Sequence, residues 1–339
     1  QTGKCRLLVV TGCLAQRYED ALKEEIPEID LLMGVNQYKE LPAAIERALK
    51  GERKSYCADD NSYYAHDRVL TTPFYSAYTR IGEGCSNRCT FCAIPLIRGA
   101  YRSRPEADVL AEIEKLAKQG VREHILVAQD TTRFGTDNGG HTTLPELMKK
   151  AAAIDGVDWL RVLYCYPDET DDRLLDVIAN TPNICKYLDL PIQHVNDTVL
   201  KRMHRRGNKA DILRCIKGAR ERGLTLRTSI IVGFPGETEE EFENSRKAME
   251  EFKYNMAYIA QYSKKRLRQS MEIGRELSVK GVVFHSGLVP GVTTPVYLNN
   301  WVKRQEEFYR KLCEDFPELT VYLENTQESG PDLLLPLVE

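Results

Sequence analysis

The sequence predicts an α/β protein: an open, partial (β/α)6 barrel preceded by an incomplete α/β domain. Two observations lead there. Across residues 73–263, short apolar runs alternate with amphipathic stretches, giving six strands of which the first five are each followed by helix. Such alternation implies parallel strands joined by right-handed helical crossovers. Six units suit an open barrel better than a closed eightfold one, and the loops after the strands then form the mouth where chemistry sits.

The elements follow in order. In residues 1–72, "RLLVVTG" reads as a buried strand, "QRYEDALKEEIP" as a helix, "IDLLMG" as a strand and "KELPAAIERALKGE" as a helix closed by Gly51. "YCADDNSYYAHDR" is polar and irregular, the composition of a linker. The barrel strands are "AYTRIG", "EHILVAQD", "WLRVLYCY", "KYLDLPIQ", "TLRTSIIVGF" and "MAYIAQYS". Between them lie six helical segments, of which the amphipathic "ADVLAEIEKLAKQG" places Gly120 at C′. The alternation stops at residue 263. In residues 264–339, "KKRLRQSMEIGREL" is basic, "GVVFHSGLVPGVTTP" is loop-like, and "NNWVKRQEEFYRKLCEDFPE" reads as one amphipathic helix.

Composition narrows the function. The chain has 339 residues, with 47 Lys and Arg against 50 Asp and Glu, so no overall basic charge points to nucleic acid. No apolar run reaches the roughly 18 residues of a membrane helix, and no signal-peptide pattern is seen. A cytoplasmic protein with no membrane partner is expected. The chain opens on Gln1 with a core strand from residue 7, so a missing natural N-terminus is also expected. Ten cysteines without a secretory pattern point to metal or redox chemistry rather than disulfides. Cys165, Cys185 and Cys215 fall in apolar patterns and read as core residues.

The informative stretch is "CSNRCTFC", which puts Cys85, Cys89 and Cys92 directly after the first barrel strand. A structural zinc site takes four protein ligands, usually as CxxC pairs from separate turns, and no second pair is present. A cubane iron–sulfur cluster accepts three thiolates at three irons and leaves the fourth open to a small molecule. A structural metal knuckle or unrelated core thiols are the competing readings.

With this CxxxCxxC loop before the first helix of a partial barrel, the sequence resembles the radical S-adenosylmethionine (SAM) superfamily. The resemblance implies a 4Fe–4S cluster whose open iron is chelated by SAM. It also implies cleavage to a 5′-deoxyadenosyl radical that abstracts hydrogen from an unactivated carbon. Over residues 5–263 the stretches "GEGCSNRCTFCAIPLIRGAYRSR", "LVAQDTTRFG", "LYCYPDE", "LDLPIQHVND", "LKRMHRRG" and "TLRTSIIVGFPGETEEEF" look like methylthiotransferases.

Two branches of that family compete. One, RimO-like, adds a methylthio group to the β-carbon of an aspartate in small-subunit ribosomal protein number twelve. The other, MiaB-like, modifies an adenosine in transfer RNA. "RGAYRSR", "AQDTTRFG", "YCYPDE" and "PIQH" resemble the ribosomal-protein branch, whereas "MAYIAQYS" leans toward the transfer-RNA branch. A non-catalytic iron–sulfur or zinc binding module is the alternative from another class. The resemblance further implies a flavodoxin or ferredoxin as electron donor, and a second 4Fe–4S cluster that gives up sulfur. Three cysteines of the N-terminal domain hold that cluster in the family. The last lies in a "TGCLAQRY" motif and corresponds to Cys13, while the other two precede this chain. Cys5 and Cys57 fall outside the pattern. The family's terminal β-barrel is not legible in residues 264–339, and "YSKKRLRQ" stands where a Gly-Thr turn is expected.

The remaining site residues end barrel strands. The superfamily binds the SAM amino group near Gln129 and Asp130, where simple loop polarity is the other reading. Gln193 and His194 close an apolar strand and turn a polar group either into the cavity or into a structural contact. Arg227 sits in a strand built for burial and requires a partner, either the SAM carboxylate or a barrel carboxylate. In "IIVGFPGET", Gly233 permits close approach to the adenosine part, while Thr238 with Glu241 can cap the next helix. Arg98, Arg102 and Arg104 could meet an acidic target, a phosphate or solvent. "KRMHRRG" reads as a solvated helix end.

Overall fold

In the computed structural model, residues 5–57, 69–70, 73–261, 281–285, 310–311, 313–315, 317 and 320–324 are described. The chain divides into two compact units, Gln1–Tyr164 with Thr181–Cys185, and Cys165–Asn180 with Lys186–Glu339.

The first unit holds two parallel sheets. Strands β1 (Val9–Thr11), β2 (Leu31–Met33) and β3 (Lys54–Tyr56) pair in that order, with Thr11 opposite Met33 and Met33 opposite Tyr56. β2 is fully buried, and the helix α3 (Leu41–Leu49) lays Ala44 and Ala48 against it. The expected helix over residues 16–27 is instead two short ones, α1 (Cys13–Arg17) and α2 (Glu19–Glu25). The backbone leaves helical angles at Tyr18, and Ala15 and Leu22 pack on Ile29 and Leu32. β3 was unreadable in sequence because three residues carry no period; pairing with β2 creates it.

The second sheet runs β4 (Ser76–Arg80), β7 (Glu123–Val127) and β8 (Trp159–Val162), all parallel. Between β4 and β7 come β5 (Gly82–Glu83), α4 (Ile94–Arg98), β6 (Arg102–Ser103) and α5 (Glu106–Lys118). Helix α5 buries Val109, Ile113, Leu116 and Ala117, the i, i+4, i+7, i+8 stripe that covers a sheet. Gly120 ends it at φ 100°, in the left-handed C′ position the sequence implied. After β7 come α6 (Thr136–Gly139) and α7 (Leu144–Ala152), the latter burying Leu144, Leu147, Met148 and Ala151 against β8 and α5.

In the second unit, α8 (Asp172–Asn180), β9 (Tyr187–Asp189), α9 (Asp197–Arg202), α10 (Lys209–Glu221), β10 (Thr225–Val232), α11 (Glu239–Phe252) and β11 (Met256–Gln261) follow one another. The three strands are parallel in the order β9, β10, β11. Helix starts are fixed by side chains. Asn208 and Asp211 form a capping box on α10, and Thr238 and Glu241 form the anticipated one on α11. In the C-terminal region Gly281–His285 is a strand, β12, paired in parallel with β13 (Thr320–Glu324). This corrects the loop reading of "GVVFH": its apolar run is short, and a partner some 40 residues away in sequence is invisible to local pattern. Of the expected helix over residues 299–318, residues 310–311 and 313–315 are helical. "YSKKRLRQ" and most of residues 264–339, where the family's terminal β-barrel would stand, lie outside the described residues. Among the described residues, no helix is long and apolar enough to cross a membrane.

Candidate active site

β4, β7 and β8 end in register, with Arg80 opposite Val127 and Leu126 opposite Val162, so the segments after them share one edge of the sheet. The cysteine loop leaves this edge. β5 and β6 close its base as a two-residue antiparallel clasp, Gly82 opposite Ser103 and Glu83 opposite Arg102. Gly84 then takes φ 77°, and a Cβ there would lie 2.3 Å from the Ala100 carbonyl oxygen. Only glycine fits both demands. The Cys85 N–H donates to the Gly99 carbonyl at 3.1 Å, and the Cys92 N–H donates to the Cys89 carbonyl at 3.0 Å.

This folding gathers the thiols. Cys85 and Cys89 are buried and Cys92 is half-buried. Burial pushes the Cys85 thiol up; a backbone hydrogen bond from Asn87 opposes it, and Asp130, Cys89 and Cys92 lie close enough to add to the rise. Among the described residues, no three Cys, His, Asp or Glu side chains converge tightly enough to hold one metal ion. A lone zinc needs all its thiolates within about 2.3 Å of one centre, whereas a cubane takes each thiolate at a different iron. Three thiols on one loop match the ligand count of a cubane with one open iron.

Asp130 fastens the loop to the end of β7. Its fully buried carboxylate accepts from Asn87 Nδ2 at 2.9 Å and from the Thr132 hydroxyl at 2.5 Å, with Arg133 Nε at 3.8 Å. Asn87 Oδ1 and Gln129 Oε1 are buried without a hydrogen-bond partner. Orphaned acceptors of this kind each cost about 1–3 kcal/mol unless a donor reaches them. Two of them beside three thiols fit a polar ligand that brings its own N–H or O–H groups. Asp130 is engaged by the protein itself, whereas Gln129 presents an unused acceptor.

Cys13, the first residue of α1, is exposed. Arg98, at the end of α4, reaches it with NH2 3.8 Å from Sγ, while its NH1 donates to the Glu83 carboxylate at 2.9 Å. Glu83 is buried, two residues before Cys85, and also pairs with Arg80. One guanidinium thus links the Cys13 thiol at the start of α1 to the base of the cysteine loop. None of the ten cysteines, all among the described residues, is in a disulfide, and Cys165 and Cys215 are fully buried.

The expected residues of the second unit divide by role. Gln193 extends β9 by one bridge to Ile230 at φ 70°, an unusual conformation for a side-chain-bearing residue. His194 is buried and satisfied: Glu237 Oε1 lies 3.2 Å from Nε2, Ser245 Oγ lies 3.0 Å from Nε2, and the Asn196 N–H donates to Nδ1. Glu237 Oε2 in turn accepts from the Gly233 and Phe234 amides at 2.5 and 3.1 Å. The Gly233 turn, at φ 76°, is therefore set by a carboxylate four residues on. Arg227 meets a barrel carboxylate, Asp189 at 3.7 Å, and stacks on the Tyr258 ring at 4.3 Å.

Two surface readings are corrected. In "KRMHRRG", Arg205 is buried, donating to the Pro191 carbonyl and stacking on Tyr166 at 3.8 Å. Arg202 holds the Gly236 carbonyl and Glu241, and Arg206 pairs with Asp168 and Glu169. Arginine stems pack well against apolar surface, which charge counting along a helix does not show. Arg104 likewise turns inward, to Glu112 and the Arg80 and Asp108 carbonyls. Sequence reasoning missed the Asn87–Asp130 tie, the Arg98 link and Glu237. Only Glu237 left a signal, as an acid following the Gly-Phe-Pro-Gly turn.

Residues 79–249 match the sequence model of the Radical SAM superfamily. A relative from Clostridium botulinum (strain Loch Maree / Type A3), named ribosomal protein uS12 methylthiotransferase RimO, is 50% identical over 268 residues, 78% of this chain and 60% of that protein. A protein of the same name from Geobacter sulfurreducens is 44% identical over 283 residues, 82% of this chain and 63% of its own. The chain thus spans about 60% of the length of the curated relatives it matches. Among solved structures, the cobalamin-dependent S-adenosylmethionine radical enzyme OxsB, with aqua-cobalamin and S-adenosylmethionine bound, superposes with a TM-score of 0.51. It is 12% identical, over 72% of this chain and 39% of that one, a likeness of fold alone.

Proposed function

Given that this chain belongs to the Radical SAM superfamily, we propose that it is the catalytic part of a methylthiotransferase acting on the β-carbon of an aspartate in ribosomal protein uS12. The observation that carries the reading is the trio Cys85, Cys89 and Cys92, gathered at one sheet edge beside buried, unpaired acceptors on Asn87 and Gln129. Two curated relatives that bear the uS12 methylthiotransferase name support the target.

In this reading the three thiolates hold a 4Fe–4S cluster. Such a cluster supplies, with SAM at its open iron, the one-electron cleavage needed to take hydrogen from an unactivated carbon. The chain's own residues do the positioning. Gly84 and the Gly82–Ser103 clasp shape the loop. Asp130 fixes Asn87, and Gln129 offers its carbonyl to the SAM amino group. In this reading Gly233, on a turn held by Glu237, and Gln193 contribute to binding SAM, whereas Arg227 is engaged by Asp189. Cys13 serves as one ligand of a second 4Fe–4S cluster that donates sulfur. Residues 1–72 form part of the N-terminal methylthiotransferase domain and residues 73–263 the radical core. The reductant is a flavodoxin or ferredoxin, and the protein is cytoplasmic.

The test is 5′-deoxyadenosine formation by the anaerobically reconstituted protein with SAM and dithionite. Product that vanishes in Cys89→Ala supports the radical reading. Absence of product from a chain holding about four irons sinks it. Mass spectrometry of uS12 and of transfer RNA after turnover decides the target.

A further inference from the structure

Arg133 ends the short turn Thr131–Arg133 that follows β7, three positions after the carboxylate that ties down the cysteine loop. Its side chain is 27% exposed, and its Nε is buried without a hydrogen bond. Its ion-pair partner Asp130 presents Oδ2 at 3.8 Å, beyond hydrogen-bond reach. NH1 and NH2 donate to no residue among the described ones. A guanidinium largely out of water and without acceptors is costly, about 1–3 kcal/mol or more for each donor left unmade. Three neighbouring arginines show the contrast. Arg98 donates to Glu83 at 2.9 Å, Arg102 to the Ala100 carbonyl at 3.0 Å, and Arg104 to Glu112 and two carbonyls.

The carboxylates near Arg133 are already in use. Asp130 accepts from Asn87 and Thr132, and Asp137 accepts from the Ser103 N–H and hydroxyl. Both belong to one charged group around Tyr101: burial pushes that phenol up, Ser103 and Arg133 oppose the rise, and Asp130 and Asp137 add to it. With Nε turned to Asp130, the outer fork of Arg133 is left for an anion from outside the chain. A nucleic-acid backbone calls for several open cations, and Arg98 and Arg104 are paired within the protein. A single carboxylate matches a single fork. In the reading above, two carboxylates come to this mouth. That of SAM is taken by the open iron. That of the substrate aspartate is bonded to the β-carbon that loses hydrogen, so a bidentate hold on it fixes the reacting carbon.

We propose that Arg133 receives the side-chain carboxylate of the substrate aspartate and thereby selects it. The proposal rests on the uS12 reading and deepens it.

The anaerobically reconstituted holoprotein, with SAM and no reductant, is titrated with purified uS12 and, separately, with bulk transfer RNA. SAM affinity is measured by equilibrium dialysis. A set of uS12 variants carries asparagine at each aspartate in turn. Expected for Arg133→Gln is a uS12 Kd raised about tenfold, with Arg133→Lys between, since lysine keeps the charge but not the fork. One asparagine form of uS12 should bind the wild type that much more weakly, yet bind Arg133→Gln as well as native uS12 does, the coupling of a double-mutant cycle. SAM affinity should stay at the wild-type value. An unchanged uS12 Kd, or a loss equal for every uS12 form, overturns the assignment. So does a shift confined to SAM or to transfer RNA, or a wild type that does not bind uS12. Coupling without 5′-deoxyadenosine formation under dithionite removes the proposed reaction and leaves the carboxylate site standing.

Discussion

The side-chain amide of Asn87 donates to Asp130 at 2.9 Å, so a fully buried carboxylate fastens the three-thiol loop to the end of β7. Removing that carboxylate strands the Asn87 amide and the Thr132 hydroxyl. Asp130→Ala should cost about 3 kcal/mol, read as a lower urea midpoint at unchanged slope. It should also slow 5′-deoxyadenosine formation, because Asn87 loses its anchor. A midpoint within experimental error of the wild type would refute the tie.

Glu237 holds the Gly233 turn and faces His194 within a buried site. Glu237→Ala leaves two amides and an imidazole without their acceptor and should destabilise the chain by about 3 kcal/mol. Retention of wild-type stability would mean that the turn is set by its glycines alone.

Arg98 joins Glu83 to the Cys13 thiol. Arg98→Ala should cost about 1–2 kcal/mol, since Glu83 then keeps Arg80 and the Gly84 N–H but loses its second cation. Hydrogen exchange should quicken in α1 and in the cysteine loop together. Faster exchange in only one of the two would show that the guanidinium does not couple them.

Burial pushes the Cys57 thiol up to about 11. The folded chain therefore holds this proton more tightly than the unfolded chain does. The resulting stability is present below the ordinary thiol pKa of about 8.5 and is lost as pH rises from there through 11. In chemical denaturation of the metal-free protein, stability should fall less steeply with pH over that range in Cys57→Ala than in the wild type. Identical slopes would contradict the assignment.

Local pattern revealed what local chemistry decides. The stripe on α5, the Gly120 stop and the Thr238–Glu241 cap depend on neighbours within a few residues, and the structure contains all three. β3 and β12 depend on partners distant in sequence, and their short runs carry no period of their own. Within the site, the thiols were legible because spacing alone marks a cluster ligand set. Asp130 was legible as a residue at the mouth but not as a buried anchor, because its partner Asn87 lies 43 positions earlier. Arg205 misled for a similar reason: a helix-end arginine looks solvated until Tyr166 and the Pro191 carbonyl fold over it.

Gly84 has a consequence at the level of the gene. Any replacement adds a Cβ, and that atom would sit 2.3 Å from the Ala100 carbonyl oxygen on a backbone at φ 77°. Both flaws arise from the first carbon of the side chain, so its size and polarity cannot compensate. Every missense codon at this position thus carries the same defect, and the site can drift only among the synonymous codons of glycine.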